Sequence, residues 1–295
     1  MSHLNERAQS AMQGSDAERM RYSLHDCFIN HPAADAILKD LHGLLNHPKV
    51  HRMPNRLLVG ETNNGKTALI RHFIAMYPAT NDPRREAADI PVVYVQAPPV
   101  PEEHRFYAAL LDAIGVIHRR SYRTGELFYQ VRNLLPKVGL KMIVIDEIHH
   151  ILAGSTKNHH AFLNTVKYIG NELMIPIVGA GTQQALYAVQ SDSQIENRFQ
   201  PLELPRWKCS NDWRRLLATF ELELPLRNPS DLADQRTAQR LHLMCEGTVG
   251  ELSALLKQAF VEAIRGGEER VCDAVLDRLR WIPPSQRRKH ALAVI

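Results

Sequence analysis

Apolar runs too short for a helix alternate with longer stretches whose apolar residues recur every three or four positions, as far as about residue 204. The first run, 56–60 (RLLVG), predicts a buried strand that ends in a turn. Residues 68–77 follow with apolar side chains at 69, 70, 73, 74 and 77, one face of a helix, which Pro78 closes. A loop rich in Asn, Asp, Pro and Arg (80–89) leads to a second strand, 90–96 (IPVVYVQ). Helices are predicted over 102–114, with Phe106, Leu110, Leu111 and Ile114 on one face, and then up to Leu135. A third strand spans 141–146 (KMIVID), an amphipathic helix 158–173, and further strands 175–178 and 202–204.

Strands alternating with helices predict a parallel five-stranded sheet covered by helices on both faces, an α/β architecture. Beyond Pro205 the pattern changes to helices only, near 210–220, 233–246, 249–265 and 270–280. That change predicts a core over 51–205 and a small all-helical lid over 206–282. Residues 1–50 read as a polar, helical extension broken at His31-Pro32 and His47-Pro48, and 283–295 as a basic, disordered tail. No internal repeat is visible.

Composition narrows the picture only a little. Apolar residues make up 44 % and charged residues 23 %, ordinary globular values. The four cysteines are scattered without a CxxC pair, which argues against a disulfide framework or a zinc site. A polar N-terminus and the lack of any apolar run of about 18 residues predict a soluble, cytoplasmic protein with no membrane association. A net charge of +4 is compatible with nucleic-acid contact without requiring it. The pairs His149-His150 and His159-His160 invite a metal reading, but neither shows cysteines or carboxylates at ligand spacing in the sequence. Solvated positions flanking a helix are the better expectation.

Chemistry enters at 60–67. Gly60-Glu61-Thr62-Asn63-Asn64-Gly65-Lys66-Thr67 matches G-x-x-x-x-G-K-[ST], with a strand before it and a helix after it. Backbone N–H groups of such a loop wrap phosphates, and the helix N-terminus adds partial positive charge. Lys66 is expected to reach the β- and γ-phosphates of ATP, and the Thr67 hydroxyl to ligate Mg²⁺. The third strand ends in Asp146-Glu147. Asp146 is the candidate for the Mg²⁺ shell and Glu147 for the general base that activates water. Strand 90–96 is read as an extra strand between the phosphate-loop strand and the Asp-Glu strand, as in the additional-strand class of P-loop ATPases. The second carboxylate favours hydrolysis over transfer to a substrate. Thr182, after the fourth strand, is a candidate γ-phosphate sensor or a simple helix N-cap. Arg198, just before the fifth strand, stands where oligomeric AAA+ ATPases carry an arginine that reaches a neighbour's γ-phosphate; the alternative is a surface salt bridge.

With these motifs in place the chain resembles the TniB/TnsC family of AAA+ ATPases, and most closely its TniB branch. The resemblance covers nearly the whole chain. It rests on RMPNRLLVGETNNGKT (52–67), IDEIHHILAGS (145–155), FLNTVKYIGNELMIPIVGAGTQQA (162–185), IENRF (195–199), LELPRW (202–207), LPLRNPS (224–230) and EGTVGELSALLKQA (246–259). It implies ATP-dependent oligomers on double-stranded DNA that recruit and activate a DDE transposase and so help choose the insertion site, with a target-selection factor as a further partner. Lys66, Thr67, Asp146 and Glu147 match the family's nucleotide residues, and Arg198 its arginine-finger position. One departure from general AAA+ practice is visible: 247–251 (GTVGE) lacks the lid arginine that contacts the γ-phosphate.

Backbone contact with DNA needs basic or hydrogen-bonding groups on an inner surface. Arg119, Arg120, Arg123 and Thr124 are the candidates, the alternative being an ordinary solvated basic loop; Arg287-Arg288-Lys289 could add non-specific affinity or meet a partner. A replication initiator or helicase loader would use the same core motifs but usually appends a winged-helix reader. A switch-type signalling ATPase would need a long sensor region. Neither fits easily into the residues beyond 206.

Overall fold

The computed structural model describes residues 3–24, 28–84, 86–152, 156–190 and 196–294. Contacts group the chain into two units: Pro32–Thr62 with Lys66–Leu204, and Met1–His31 with Asn63–Gly65 and Pro205–Ile295.

The first unit is built on one parallel sheet. Its strands are β1 (Asn55–Gly60), β2 (Val92–Gln96), β3 (Met142–Asp146), β4 (Ile177–Gly181) and β5 (Phe199–Leu204), in the spatial order β2-β3-β4-β1-β5. Every residue of β3 and β4 is buried, as expected where helices cover both faces of a parallel sheet. The sheet order corrects one expectation. The strand between the phosphate-loop strand and the Asp-Glu strand is β4, while β2 lies at the edge. The chain crosses from β1 to the far edge and works back, a route that sequence order alone does not reveal. The fourth strand also runs through Gly181 instead of stopping at Val178, and the fifth begins at Phe199.

Helices α3 (Pro32–Leu45), α4 (Lys66–Ala75), α5 (Glu103–Ala113), α6 (Thr124–Lys137), α7 (Thr156–Leu173) and α8 (Gln183–Gln190) belong to this unit, α1 (Glu6–Ala11) and α2 (Asp16–Tyr22) to the other. Residues 1–50, read as one extension, are therefore divided after His31. Pro32, taken as a breaker, is the first residue of α3, where its fixed φ and missing N–H cost nothing. Ile37, Leu38, Leu41, Leu44 and Leu45 of α3 are buried, and Asp40 pairs with Arg56 of β1 at 2.6 Å. Phe106, Leu110, Leu127, Val131, Phe162, Val166 and Ile169 join the inner residues of the sheet in one core.

The second unit is all helical, with α9 (Asn211–Leu222), α10 (Gln235–Cys245), α11 (Val249–Gly266), α12 (Asp273–Arg278) and α13 (Pro284–Val294) following Pro205. Its core gathers Trp213, Leu217, Leu241, Leu252, Leu255 and Phe260. The Trp213 indole N–H is satisfied by the Ala238 carbonyl at 2.9 Å. Arg19 of α2 is buried in this unit, where it pairs with Glu269 at 2.5 Å and donates twice to the Pro225 carbonyl. The tail expected to be disordered forms α13. Pro284 again starts a helix, and Arg287 binds it to Glu251 by an ion pair. None of the helices is long and apolar enough to cross a membrane, among the described residues.

Candidate functional site

The end of β1, the loop after it and the first turn of α4 form a continuous cradle. Asn63 and Gly65 take positive φ, +60° and +86°, the left-handed turn that lets successive N–H groups face one way. Lys66 is the first residue of α4 and is only 6 % exposed. Its ammonium donates back to the carbonyls of Gly60 (2.9 Å) and Glu61 (2.7 Å), so the side chain curls over its own loop. Burial pulls its pKa below the ordinary lysine value, with Glu147, Asp146 and Glu61 working against that shift. A buried cation whose hydrogen bonds, among the described residues, go to neutral carbonyls is poised to accept an anionic partner.

Two strands away, β3 brings the acids. With neighbouring strands about 4.8 Å apart, β1 and β3 stand roughly 10 Å from each other across β4. Thr67 closes that gap from α4: its hydroxyl donates to Asp146 Oδ2 at 2.8 Å. Asp146 is 2 % exposed, and its other oxygen accepts from the Glu147 N–H at 2.8 Å. A hydroxyl and a carboxylate already in contact are a hard-oxygen pair of the kind Mg²⁺ prefers, and they fit that ion. Glu147 leaves the strand at φ +53°, a strained value for a residue with a Cβ.

Tyr94, on β2, was not singled out from sequence. Its hydroxyl donates to the same Asp146 Oδ2 at 2.9 Å, and burial, then Asp146, pushes its pKa up to about 12. The signal was one polar-tipped residue within the apolar run 92–95. The histidine reading also needs correcting. His149 and His150 lie in a 3-10 turn (Ile148–Leu152), half-buried, and Glu147 Oε2 is 3.1 Å from His149 Nδ1. Glu147, His149 and His150 bring ligand atoms within 4.8 Å of one another, so a carboxylate does stand at metal-ligand spacing. His159 is buried within α7 instead of flanking it in solvent. The tight turn after β3 folds Glu147, two residues before His149, back onto its ring, and the packing of α7 explains His159.

Thr182 follows β4 at the start of α8. Its carbonyl accepts from Ala185 N–H at 2.8 Å, yet its buried hydroxyl oxygen has no hydrogen-bond partner among the described residues. The side-chain N-cap is thus not made. A buried hydroxyl left over at the end of a central strand fits a group that meets a ligand or its water.

Arg198 lies elsewhere. Its carbonyl accepts from Asn55 N–H at 3.1 Å, at the start of β1, whereas the phosphate loop follows the strand's end. At about 3.3 Å per residue the two ends of β1 are roughly 16 Å apart. The guanidinium donates to Asn171 Oδ1 at 2.8 Å, and its buried Nε has no hydrogen-bond partner among the described residues. Burial and then Arg52 lower its pKa from the ordinary arginine value. The salt bridge weighed from sequence is not formed among the described residues.

Arg119 and Arg120 are exposed in the loop between α5 and α6, Arg123 is the exposed N-cap of α6, and Thr124 is half-buried in its first turn. The loop is ordered by its own bonds: Tyr122 N–H to the Arg119 carbonyl (3.1 Å), His104 Nε2 with the Tyr122 carbonyl (2.9 Å), and Arg123 N–H to Glu126 (2.6 Å).

A phosphate-binding loop, an acid at the end of a strand one removed from it, and the strand order β2-β3-β4-β1-β5 define a P-loop ATPase of the AAA+ class. Solved structures agree on that fold. The chain is similar to the Aeropyrum pernix ORC1 protein in complex with DNA (22 % identity, TM-score 0.63, covering 88 % of this chain and 68 % of that one). It is also similar to the Aeropyrum pernix ORC2 protein in its ADPNP–ADP complexes (16 %, 0.62, 88 % and 70 %) and to the Thermotoga maritima RuvB Holliday junction branch migration motor (14 %, 0.52, 83 % and 67 %). The chain belongs to the TniB family: the family described as Bacterial TniB protein matches residues 19–209. No curated protein matches the sequence.

Proposed function

We propose that this chain binds ATP·Mg²⁺ at 60–67, hydrolyses it slowly as a regulatory switch, and in its ATP state assembles on double-stranded DNA to recruit a DDE transposase. The observation that carries the nucleotide part is the Thr67–Asp146 contact at 2.8 Å beside a buried Lys66. When bound, Mg²⁺ would neutralise phosphate charge and help orient the phosphates. Lys66 exchanges its two carbonyl partners for phosphate oxygens. Thr67 and Asp146 would exchange their mutual bond for holding the metal, and the Tyr94 hydroxyl, which donates to Asp146, would steady that carboxylate. Glu147 takes the proton of the attacking water on its carboxylate, and the Thr182 hydroxyl positions that water or the γ-phosphate. Arg198, too far along β1 to serve its own nucleotide, acts on the γ-phosphate of a neighbouring copy.

Family membership supports the transposition reading; a target-selection factor as a further partner and the cytoplasm as the place of action belong to the same proposal. Arg119, Arg120, Arg123 and Thr124 are assigned to the DNA backbone, which fits their exposure on an ordered loop. Sedimentation with duplex DNA tests this reading. A large complex is expected with a non-hydrolysable ATP analogue and not without nucleotide; no complex under any nucleotide condition contradicts it. In the Arg119→Ala/Arg123→Ala variant the salt dependence of DNA binding should flatten by about one unit of slope per lost phosphate contact. An unchanged slope removes these residues from the interface. The likeness to an ORC1 protein bound to DNA keeps an initiator-type or helicase-loader reading as the alternative. Retention of a hexameric helicase, and not of a transposase with an RNase H-like core, would favour it.

A further inference from the structure

Where many AAA+ proteins place an arginine at the start of the lid helix, this chain places Glu251. It lies in the first turn of α11 and is only 8 % exposed. Its Oε1 accepts from the side-chain amide of Asn63, at the tip of the phosphate loop, at 2.9 Å. The backbones of the same two segments are joined as well, Gly250 N–H to the Asn63 carbonyl at 2.9 Å. The approach is so close that a Cβ at Gly250 would stand 2.1 Å from Asn63 Oδ1, and one at Gly65 would stand 2.9 Å from Val249. Glu251 is thereby locked to the loop that is assigned to phosphate.

Left alone, a carboxylate there opposes the ligand, because like charges at short range in a partly desolvated place repel strongly. The counter-charge comes from α13. Arg287 grips both Glu251 oxygens, NH1 to Oε1 at 3.0 Å and NH2 to Oε2, while its Nε donates to the Ile282 carbonyl at 3.2 Å. Its guanidinium also sits 5.3 Å from the centre of the Trp281 ring. Two-pronged recognition of a carboxylate by arginine is directional and strong. It holds the Glu251 carboxyl below the usual carboxylate range, Arg287 being the largest cause, with burial opposing and Asn63 adding to it. Arg287 is therefore committed within the protein, and not an idle member of a basic tail.

We propose that Arg287 is a positioning and charge-compensating residue of the nucleotide site: through Glu251 it cancels negative charge at the phosphate loop and so sets the affinity for a nucleoside triphosphate. This rests on the reading of 60–67 as an ATP site. It gives the C-terminal helix a task that the missing lid arginine would otherwise perform, by compensation instead of direct contact.

The test is calorimetric titration of the full chain with a non-hydrolysable ATP analogue and with ADP, both with Mg²⁺. The parent is compared with Arg287→Gln, Arg287→Lys, Glu251→Gln and the Glu251→Gln/Arg287→Gln double variant. Arg287→Gln should weaken the triphosphate about tenfold and ADP by less, since the unbalanced carboxylate then faces fewer charges. Arg287→Lys should recover part of the loss. The double variant should return to within about threefold of the parent, because removing the carboxylate removes the need for its partner. A pair that merely holds α13 in place would lower the thermal midpoint and leave affinities alone. Equal affinity in the parent and Arg287→Gln, or a double variant as weak as Arg287→Gln, overturns the inference. A parent that binds neither nucleotide overturns the ATP-site reading on which it rests.

Discussion

The two ends of the parallel sheet are built on opposite plans. At the C-terminal end of the strands, Lys66 rests on two carbonyls, Thr67 and Tyr94 on Asp146, and Asp146 on the backbone of Glu147, while the Thr182 hydroxyl has no hydrogen-bond partner among the described residues. At the N-terminal end, Arg198 is fixed through one bond to Asn171 and keeps a buried Nε with no hydrogen-bond partner among the described residues. The first arrangement is a site pre-organised within one chain, whose internal bonds are ready to be exchanged for those of a ligand. The second is a cation whose buried Nε is satisfied by none of the described residues. On the function proposed above, the difference separates binding, which one copy performs, from completion of the site, which takes a second copy.

Arg198→Ala puts that contrast to its hardest trial. Removing an arginine that acts across an interface should lower turnover by about 10³-fold while leaving nucleotide affinity in the single chain unchanged. A fall in affinity equal to the fall in turnover would instead place Arg198 in its own chain's site. Mixing Arg198→Ala with Lys66→Ala, each inactive alone, should restore measurable hydrolysis, because one supplies the arginine and the other the binding loop. A mixture as inactive as its parts contradicts action between copies. At the other end of the sheet, Glu147→Gln should reduce turnover by about 10²-fold with binding retained, the usual scale for losing a general base. Hydrolysis at the parent rate would remove Glu147 from that role. The smallest effect belongs to Tyr94→Phe, which deletes one hydrogen bond to Asp146 and should weaken Mg²⁺-dependent binding only about three- to tenfold. No change would mean that Thr67 and the Glu147 N–H suffice to orient the carboxylate.

How legible these two ends were in the sequence differs for a physical reason. The phosphate loop is a local object: eight consecutive residues between a strand and a helix, whose chemistry depends on backbone turns that glycine and asparagine announce. The apolar run into Asp146-Glu147 was equally plain. Spatial order was not legible, since periodicity shows which residues face a core and nothing about which strand lies beside which. Hence β2 was placed between β1 and β3, where β4 stands. Proline misled as well. Pro32 looks like a stop when read from the N-terminal side, yet it is the first residue of a helix, and Pro284, in the tail expected to be disordered, also starts one. Tyr94 escaped notice, and the contacts of His149 and Arg287 were misjudged, because their partners are brought to them by the fold. Tyr94 meets Asp146 from another strand, and Arg287 meets Glu251 from another helix.

The claim beneath all of this is that one chain holds a triphosphate and its magnesium between Lys66 and Asp146. Calorimetry with a Mg²⁺-bound, non-hydrolysable ATP analogue on the parent chain and on Lys66→Ala addresses it directly. The account predicts one site per chain in the parent and an affinity at least about a hundredfold weaker in Lys66→Ala, since the ammonium is the only buried cation facing the loop among the described residues. No binding by the parent, or equal binding by both, would contradict it.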